Sequence, residues 1–337
     1  MRKLGFRTAL IVREGAELAH RCEQEGFPVY CIDFSSKFNL PAWLQLLKLL
    51  WRLRPAVVNT HSSEDSWMAG CAARICGVPL IARTRHVLEP ISSSFSYRAF
   101  PHVIFACSEA IAKQLAEQGV PRRKIVVQST GIDEERFCFS AQDREEVRQQ
   151  YNIGDQDILV GNVAFLRHYK GHEFIARTAA ALPDRFKFMI VGGGNGRAIL
   201  EKDIAKAGVQ NRFILIGHRE DPERFFSAFD LIFFSSYETE GISQSFIQGL
   251  LYGIPLLTCR TPSLLEPLEF VQKYKLVDYG DVEAAKAALL ELATHTVHDE
   301  EHVRQQREDI AGKYGLRKMV ENIVRVYGEQ GVMLNHP

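Results

Sequence analysis

The chain has 337 residues, 46% hydrophobic and 24% charged, with 41 basic and 41 acidic side chains that cancel. The length suggests two domains, and the composition is that of soluble globular protein. Zero net charge excludes a nucleic-acid binder that works through overall basic charge. No apolar run reaches the roughly 20 residues of a membrane-spanning helix, and the apolar stretch within residues 1–12 is too short for a signal peptide. Seven cysteines, at positions 22, 31, 71, 76, 107, 138 and 259, form no CxxC pair and are odd in number, which reads as reduced thiols of a cytosolic protein.

Taken in chain order, short apolar runs alternate with longer amphipathic stretches. The first half predicts strands over 7–12, 29–32, 56–60, 80–83, 103–106 and 125–128. Helices are predicted between most of them, over 14–25, 42–53, 64–76 and 108–118. The runs are almost continuously apolar rather than alternating, the pattern of parallel strands covered on both faces. Residues 129–157 break the rhythm and read as a linker carrying one polar helix over 143–151. A second series predicts strands over 158–163, 186–191, 213–216, 231–234, 256–258 and 275–277. Its helices are predicted over 172–182, 197–207, 222–229, 245–252 and 282–293, with two more over 299–313 and 316–327. The alternation argues for doubly wound α/β architecture in two similar halves, 1–150 and 151–315, with 316–337 returning to the first. Ligands of such sheets bind beyond the carboxyl ends of the strands, and two facing halves form a cleft suited to substrates.

Four strand-end segments are candidates for chemistry. Gly192-Gly193-Gly194-Asn195-Gly196 follows a strand, and its glycines let the backbone approach a phosphate or sugar at the start of a helix. Arg197 stands where GxGxxG needs its third glycine, which argues against a dinucleotide fingerprint, and a tight turn fits as well. In the segment 237–245, Glu240 beside Gly241 suits sugar hydroxyls; a capped helix with an acidic first turn fits the same residues. Arg167-His168-Tyr169-Lys170-Gly171 sets two cations at a strand end, either for a leaving diphosphate or as a solvated basic turn. Asn59-Thr60-His61-Ser62-Ser63 and Arg83-Thr84-Arg85-His86 each follow a predicted strand, so two histidines share one sheet edge; taken singly, each is an ordinary polar loop residue.

With Gly131–Asp133, Gly217 and the run from Glu240 through Pro255, this ordered set resembles the retaining glycosyltransferases of family 4, which have the GT-B fold. The resemblance spans nearly all of the chain and is nearest to members active in bacterial lipopolysaccharide and cell-surface polysaccharide biosynthesis. It implies two facing Rossmann-like domains, a nucleotide-sugar donor in the second and a glycan or lipid-linked acceptor in the first. It also implies retention at the anomeric carbon with no metal or other cofactor, in the cytoplasm at the inner face of the membrane. The residues it assigns to catalysis are His86 facing the transferred sugar, Lys170 on the donor diphosphate, and Glu240, the first acid of E-x7-E, on the hexose hydroxyls. Donor binding extends to Arg167, Gly193, Gly194, His218, Arg219, Gly241, Ile242, Ser243 and Gln248, and the acceptor side to His61, Ser62 and Arg85.

The chain departs from that pattern at three places. The second acid of E-x7-E is Gln248, Ala164 and Phe165 occupy the positions of the usual upstream arginine, and the family's opening strand and glycine-rich loop precede the segment that residues 7–12 resemble. A late start or a truncation is the expected reason for the last. Asp155-Gln156-Asp157 matches the DxD of metal-dependent transferases but precedes a strand, so a turn is expected. The stretch from Ala42 to Leu53 is apolar nearly all round, with only Gln45, Lys48 and Arg52 polar; it fits contact with a membrane surface, or a helix packed between the sheet and a neighbour. Two competing functions stay open on the sequence alone: a sugar-nucleotide 2-epimerase of the same fold, and a non-catalytic sugar-nucleotide-binding subunit.

Overall fold

The computed structural model describes residues 5–36, 38–237, 242–294 and 300–332, without the side chains of Glu17 and Glu300. Its contacts divide into two units, Met1–Ser129 with Met319–Pro337, and Thr130–Lys318.

The first unit has strands β1 (Leu10–Val12), β2 (Val29–Cys31), β3 (Val57–Thr60), β4 (Leu80–Arg85), β5 (Val103–Ala106) and β6 (Ile125–Val127). All pair in parallel, in two sheets of order β1-β2 and β3-β4-β5-β6. Helices α1 (Glu17–Gln24), α2 (Leu40–Leu53), α3 (Ser63–Ile75), α4 (Phe95–Ala99) and α5 (Glu109–Glu117) alternate with them. One apolar layer, with Leu46, Leu49 and Leu50 of α2 and Met68 and Ala72 of α3, reaches both Ile11 and Tyr30 of the small sheet and Val58 and Ile81 of the larger. Each leucine buried there contributes about 1.5–3 kcal/mol over exposure. Successive strand residues face opposite ways. Leu80 and Ala82, flanking Ile81, accordingly pack on the other face against Val326 and Tyr327 of the C-terminal helix Leu316–Glu329. Asn39 caps α2 by accepting the Ala42 N–H, and Arg54, in the left-handed region, ends it. Strand β4 runs on through Arg85, two residues past the strand predicted over 80–83, so Arg85 is a strand residue rather than the loop residue expected from the sequence.

The second unit has α6 (Ala141–Gln150), β7 (Ile158–Val163), α7 (His172–Ala180), β8 (Phe186–Val191), α8 (Arg197–Ala207), β9 (Phe213–Gly217), α9 (Pro222–Ala228), β10 (Leu231–Phe234), α10 (Gln244–Leu250), β11 (Leu256–Cys259), α11 (Pro262–Leu265), β12 (Tyr274–Val277), α12 (Val282–Leu292) and α13 (Glu300–Tyr314); α14 is the helix Leu316–Glu329. Its strands form one parallel sheet of order β12-β11-β10-β7-β8-β9. Alternate residues again split between faces: Leu159, Met189, Ile232 and Phe234 face one core, Val160, Phe188, Leu231 and Phe233 the other. Strand order reverses between β7 and β10, so the loops leaving those two strands open the crevice where doubly wound sheets bind ligands.

The expected boundary at residue 150 is corrected. Residues 130–150, read as linker, belong to the second unit. Phe137 and Val147 sit in its core, and Asp230 holds Arg144 at 2.5 Å, Arg148 at 2.8 Å and the Leu159 N–H at 2.7 Å. Asp157 accepts the Gly154 N–H at 2.9 Å, closing a turn ahead of β7. Among the described residues no helix is long and apolar enough to cross a membrane.

Candidate functional site

In the second unit, three loops at the carboxyl ends of β7, β8 and β9 are stitched by backbone hydrogen bonds. Ala164 N–H donates to Val191 O, Leu166 N–H to Gly193 O, Gly196 N–H to Leu166 O and Gly192 N–H to Gly217 O, all within 2.8–3.0 Å. So close an approach requires glycine: a Cβ on Gly192, at φ +155°, would stand 1.9 Å from Ala164 O. The loop after β7 continues into a 3-10 turn, His168–Lys170, and Gly171 in the left-handed region leads into α7. That turn is tied to the segment after β10 at two points: Tyr237 N–H donates to Tyr169 O at 3.0 Å, and Ser235 Oγ donates to Lys170 O at 2.7 Å. Lys170 is thereby fixed at the point where the strand order reverses, and it is buried. Its charge repels a proton from buried His172; burial first, then Lys170, lowers that imidazole to about 4, so it is neutral at pH 7. Among the described residues the His172 Nε2 atom has no hydrogen-bond partner.

Around this crevice the other expected donor residues divide. Arg167 is exposed, and its guanidinium reaches the Tyr169 hydroxyl at 3.3 Å. Gly193 and Gly194 lie in the stitched loop, and a Cβ on Gly193 would sit 3.1 Å from His218 Cβ. Arg219 is spent locally: it holds Asp221 through two 2.8 Å hydrogen bonds, which raise the guanidinium further above its ordinary value. Ile242 packs partly against the core, Ser243 Oγ lies 3.0 Å from Ser245 Oγ, and Gln248 is half-buried on α10. Glu240 and Gly241 lie outside the described residues.

In the first unit, His61, His86 and Cys107 are the residues next after β3, β4 and β5. His61 Nδ1 lies 3.0 Å from His86 Nε2, and His86 Nδ1 lies 3.3 Å from Cys107 Sγ. Desolvation lowers both imidazoles below their ordinary value; His86 is lowered further by His61, while Asp65 opposes the shift at His61. Asp65 also accepts the His61 N–H at 3.0 Å and closes a capping box with Ser62 at the start of α3. Ser62 and Arg85, expected on the acceptor side, are thus engaged in structure. Arg85 is buried, donating to Tyr97 Oη at 2.6 Å, while the Arg83 guanidinium lies 3.3 Å above the Tyr97 ring centroid.

Residues 143–311 match the family model of glycosyl transferases group 1, and residues 1–136 match that of glycosyltransferase family 4. The chain belongs to the group 1 glycosyl transferases. A 2-deoxystreptamine glucosyltransferase of Streptomyces kanamyceticus is 23% identical over 82% of this chain and 79% of its own. A UDP-Gal:alpha-D-GlcNAc-diphosphoundecaprenol alpha-1,3-galactosyltransferase of Escherichia coli is 23% identical over 68% of this chain and 64% of its own. Among solved structures, Anabaena HepE in complex with UDP superposes with a TM-score of 0.86 at 16% identity, covering 97% of this chain and 93% of that one. A glycosyltransferase from Rickettsia africae superposes with a TM-score of 0.85 at 19% identity, covering 98% and 91%. The fold is that of the GT-B glycosyltransferases.

In this glycosyltransferase, then, Lys170, Arg167, Gly193, Gly194 and His218 gather at the carboxyl edge of one sheet, and His61 and His86 at that of another. Sequence reasoning missed His172, Cys107 and the ring stack of Tyr237 on Tyr279, with centroids 4.0 Å apart. His172 follows Gly171 directly, and Cys107 follows a predicted strand as His61 and His86 do, a signal legible in the sequence.

Proposed function

We propose that this glycosyltransferase moves a sugar from a nucleotide-sugar donor, held by the second unit, to a glycan or lipid-linked acceptor held by the first, with retention at the anomeric carbon. The carrying observation is buried Lys170, held through its carbonyl by Ser235 and through that of Tyr169 by Tyr237, at the reversal point of the six-stranded sheet beside a loop of glycines. A cation there compensates the charge that grows on a departing diphosphate, and the glycine backbone lets phosphate or sugar come close. The departing phosphate takes the acceptor proton as the acceptor oxygen attacks from the same face, so no protein nucleophile is needed, and Lys170 supplies the charge compensation that a divalent metal would otherwise give. UDP in the HepE structure and the UDP-Gal of the E. coli relative favour a UDP-sugar, and that relative's diphosphoundecaprenol acceptor favours a role in lipopolysaccharide or surface-polysaccharide assembly.

The test is UDP release from UDP-glucose and UDP-galactose with and without EDTA, on wild type and Lys170→Ala. Transfer should survive EDTA, and the variant should lose kcat more than donor affinity. Lost affinity with kcat intact would reduce Lys170 to a binding residue.

The same reading places the protein on the cytoplasmic face of a membrane. Leu46, Leu49 and Leu50 of α2 are buried, but Phe38, Leu40, Leu44 and Trp51 are 82%, 66%, 61% and 70% exposed. Lys48, Arg52 and Arg54 are exposed beside them, and the helix has no acid. An apolar face with Lys48, Arg52 and Arg54 beside it, and Asp33 at its N-terminal end on Asn39, suits anionic lipid. Co-sedimentation with phosphatidylglycerol vesicles, lost in Leu44→Ser/Trp51→Ser, checks it.

A further inference from the structure

We propose that Tyr279 is a positioning residue for Lys170: its ring, carried just beyond the edge strand of the second unit's sheet, clamps the turn that holds the lysine. This rests on the transfer reading above, in which Lys170 meets the charge of the departing diphosphate.

The turn is a weak support by itself. His168–Lys170 is a single 3-10 turn, with poorer hydrogen-bond geometry than an α-helix. It hands over to Gly171 at φ +65°, and glycine leaves the backbone many conformations there. Lys170 is buried, so a small rotation of the turn shifts its ammonium relative to the crevice. A misplacement of about 1 Å can cost a reaction about 100-fold.

Tyr279 lies two residues beyond the end of β12, and β11 and β10 stand between that edge strand and β7. Its ring still reaches the turn that leaves β7, and does so at two points. It stacks on Tyr237, with centroids 4.0 Å apart and planes at 29°, and Tyr237 N–H donates to Tyr169 O at 3.0 Å. It also lies against Gly171, where an added Cβ would stand 2.8 Å from Tyr279 Cε2. One ring therefore bears on the residue before Lys170, through Tyr237, and directly on the residue after it. The ring is itself backed by the core. It meets Phe174 of α7 at a centroid distance of 5.4 Å and an angle of 69°, and Phe174 packs on Phe233 of β10 at 5.5 Å. Two hydrogen bonds brace the same path: Thr261 Oγ1 donates to Ser236 O at 3.0 Å, and Ser235 Oγ to Lys170 O at 2.7 Å. Removing the ring should therefore loosen the turn without releasing it.

The ring makes these contacts, so Tyr279→Phe keeps them, whereas Tyr279→Leu keeps apolar bulk but cannot stack. Two readouts on the full chain test the proposal, one independent of turnover. Hydrogen exchange of the Tyr237 amide, followed by NMR of [15N]tyrosine-labelled protein, should speed up about 3- to 10-fold in Tyr279→Leu and stay within about twofold in Tyr279→Phe. For UDP release from UDP-glucose or UDP-galactose with water as acceptor, Tyr279→Leu should lower kcat about 3- to 30-fold at nearly constant donor KM, and Tyr279→Phe should restore it. In a Lys170→Ala background, Tyr279→Leu should change kcat less than about twofold, because the group it positions is gone. The same fold-loss in both backgrounds would overturn the assignment to Lys170, as would a rise in KM with kcat intact. Unchanged exchange at Tyr237 in Tyr279→Leu would overturn the clamp, whatever the turnover. The expected exchange pattern in a protein that releases no UDP from either donor would instead refute the transfer reading, and the assignment to Lys170 with it.

Discussion

Gly171 links Lys170 to α7 at φ +65°, and a Cβ added to it would stand 2.3 Å from Ser235 O and 2.8 Å from Tyr279 Cε2. Gly208, which ends α8 at φ +71°, has nothing within 4 Å of an added Cβ. Gly171→Ala and Gly208→Ala therefore share the left-handed cost of an L-residue, about 1–2 kcal/mol. They also share the compensating loss of unfolded-chain freedom, about 0.4–1 kcal/mol. Only Gly171→Ala adds a collision with a carbonyl. That carbonyl cannot retreat alone, because Ser235 Oγ donates back to Lys170 O and Tyr237 N–H to Tyr169 O. Overpacking of this kind costs about 1–3 kcal/mol. At about 2–4 °C per kcal/mol for a unit of this size, the two variants should melt about 2–12 °C apart. The assay is thermal unfolding of both proteins, then UDP-sugar turnover below the lower transition. Gly171→Ala should also lose kcat, because the loop that moves carries Lys170, whereas Gly208→Ala should not. Equal melting temperatures would refute the steric argument. A clear separation with unchanged kcat would refute the claim that this turn sets the position of Lys170.

Gln248→Ala should raise donor KM with a smaller effect on kcat, the pattern of lost uniform binding, and Gln248→Glu should keep activity; donor saturation kinetics on both check it. His172 has a folded-state value of about 4 against an ordinary 6.5, so the unfolded chain takes up its proton first as pH falls. Its contribution to stability is complete above pH 6.5 and is lost between 6.5 and 4, up to about 3 kcal/mol. Urea unfolding at pH 7.5 and 5 should therefore show a steeper loss in wild type than in His172→Gln, and parallel losses would remove His172 from the account.

Much of the fold was legible because nearly continuous apolar runs bounded by turn residues mark buried parallel strands. The predicted strand over 158–163 and β7 coincide, as do that over 103–106 and β5. The misreadings fall where polar residues do structural work. Arg85 reads as loop, yet it finishes a strand, because the Tyr97 hydroxyl takes up its guanidinium group. Residues 130–150 read as linker because Arg144 and Arg148 give the helix over them a polar surface. Both arginines turn onto Asp230, more than eighty positions away in the chain, and a local pattern does not contain that partner.

The candidate sites were legible to the same depth and for the same reason. Strand ends can be read from one chain, and strand ends are where parallel sheets place ligand-facing residues, so Lys170, the glycine loop, His61 and His86 stood out. What each side chain is already holding is decided by register. Pairing Arg85 with Ala106 brings the next residues, His86 and Cys107, side by side; pairing Thr60 with Arg83 leaves His61 within reach of His86 across a strand that runs two residues further. A shift of one residue in either pairing would turn alternate side chains to the opposite face, and the row of thiol and two imidazoles would not exist. Cys107 therefore read as one reduced thiol among seven, with nothing in the sequence to set it beside His86. The parallel register sets His61, His86 and Cys107 side by side, with His86 between the other two.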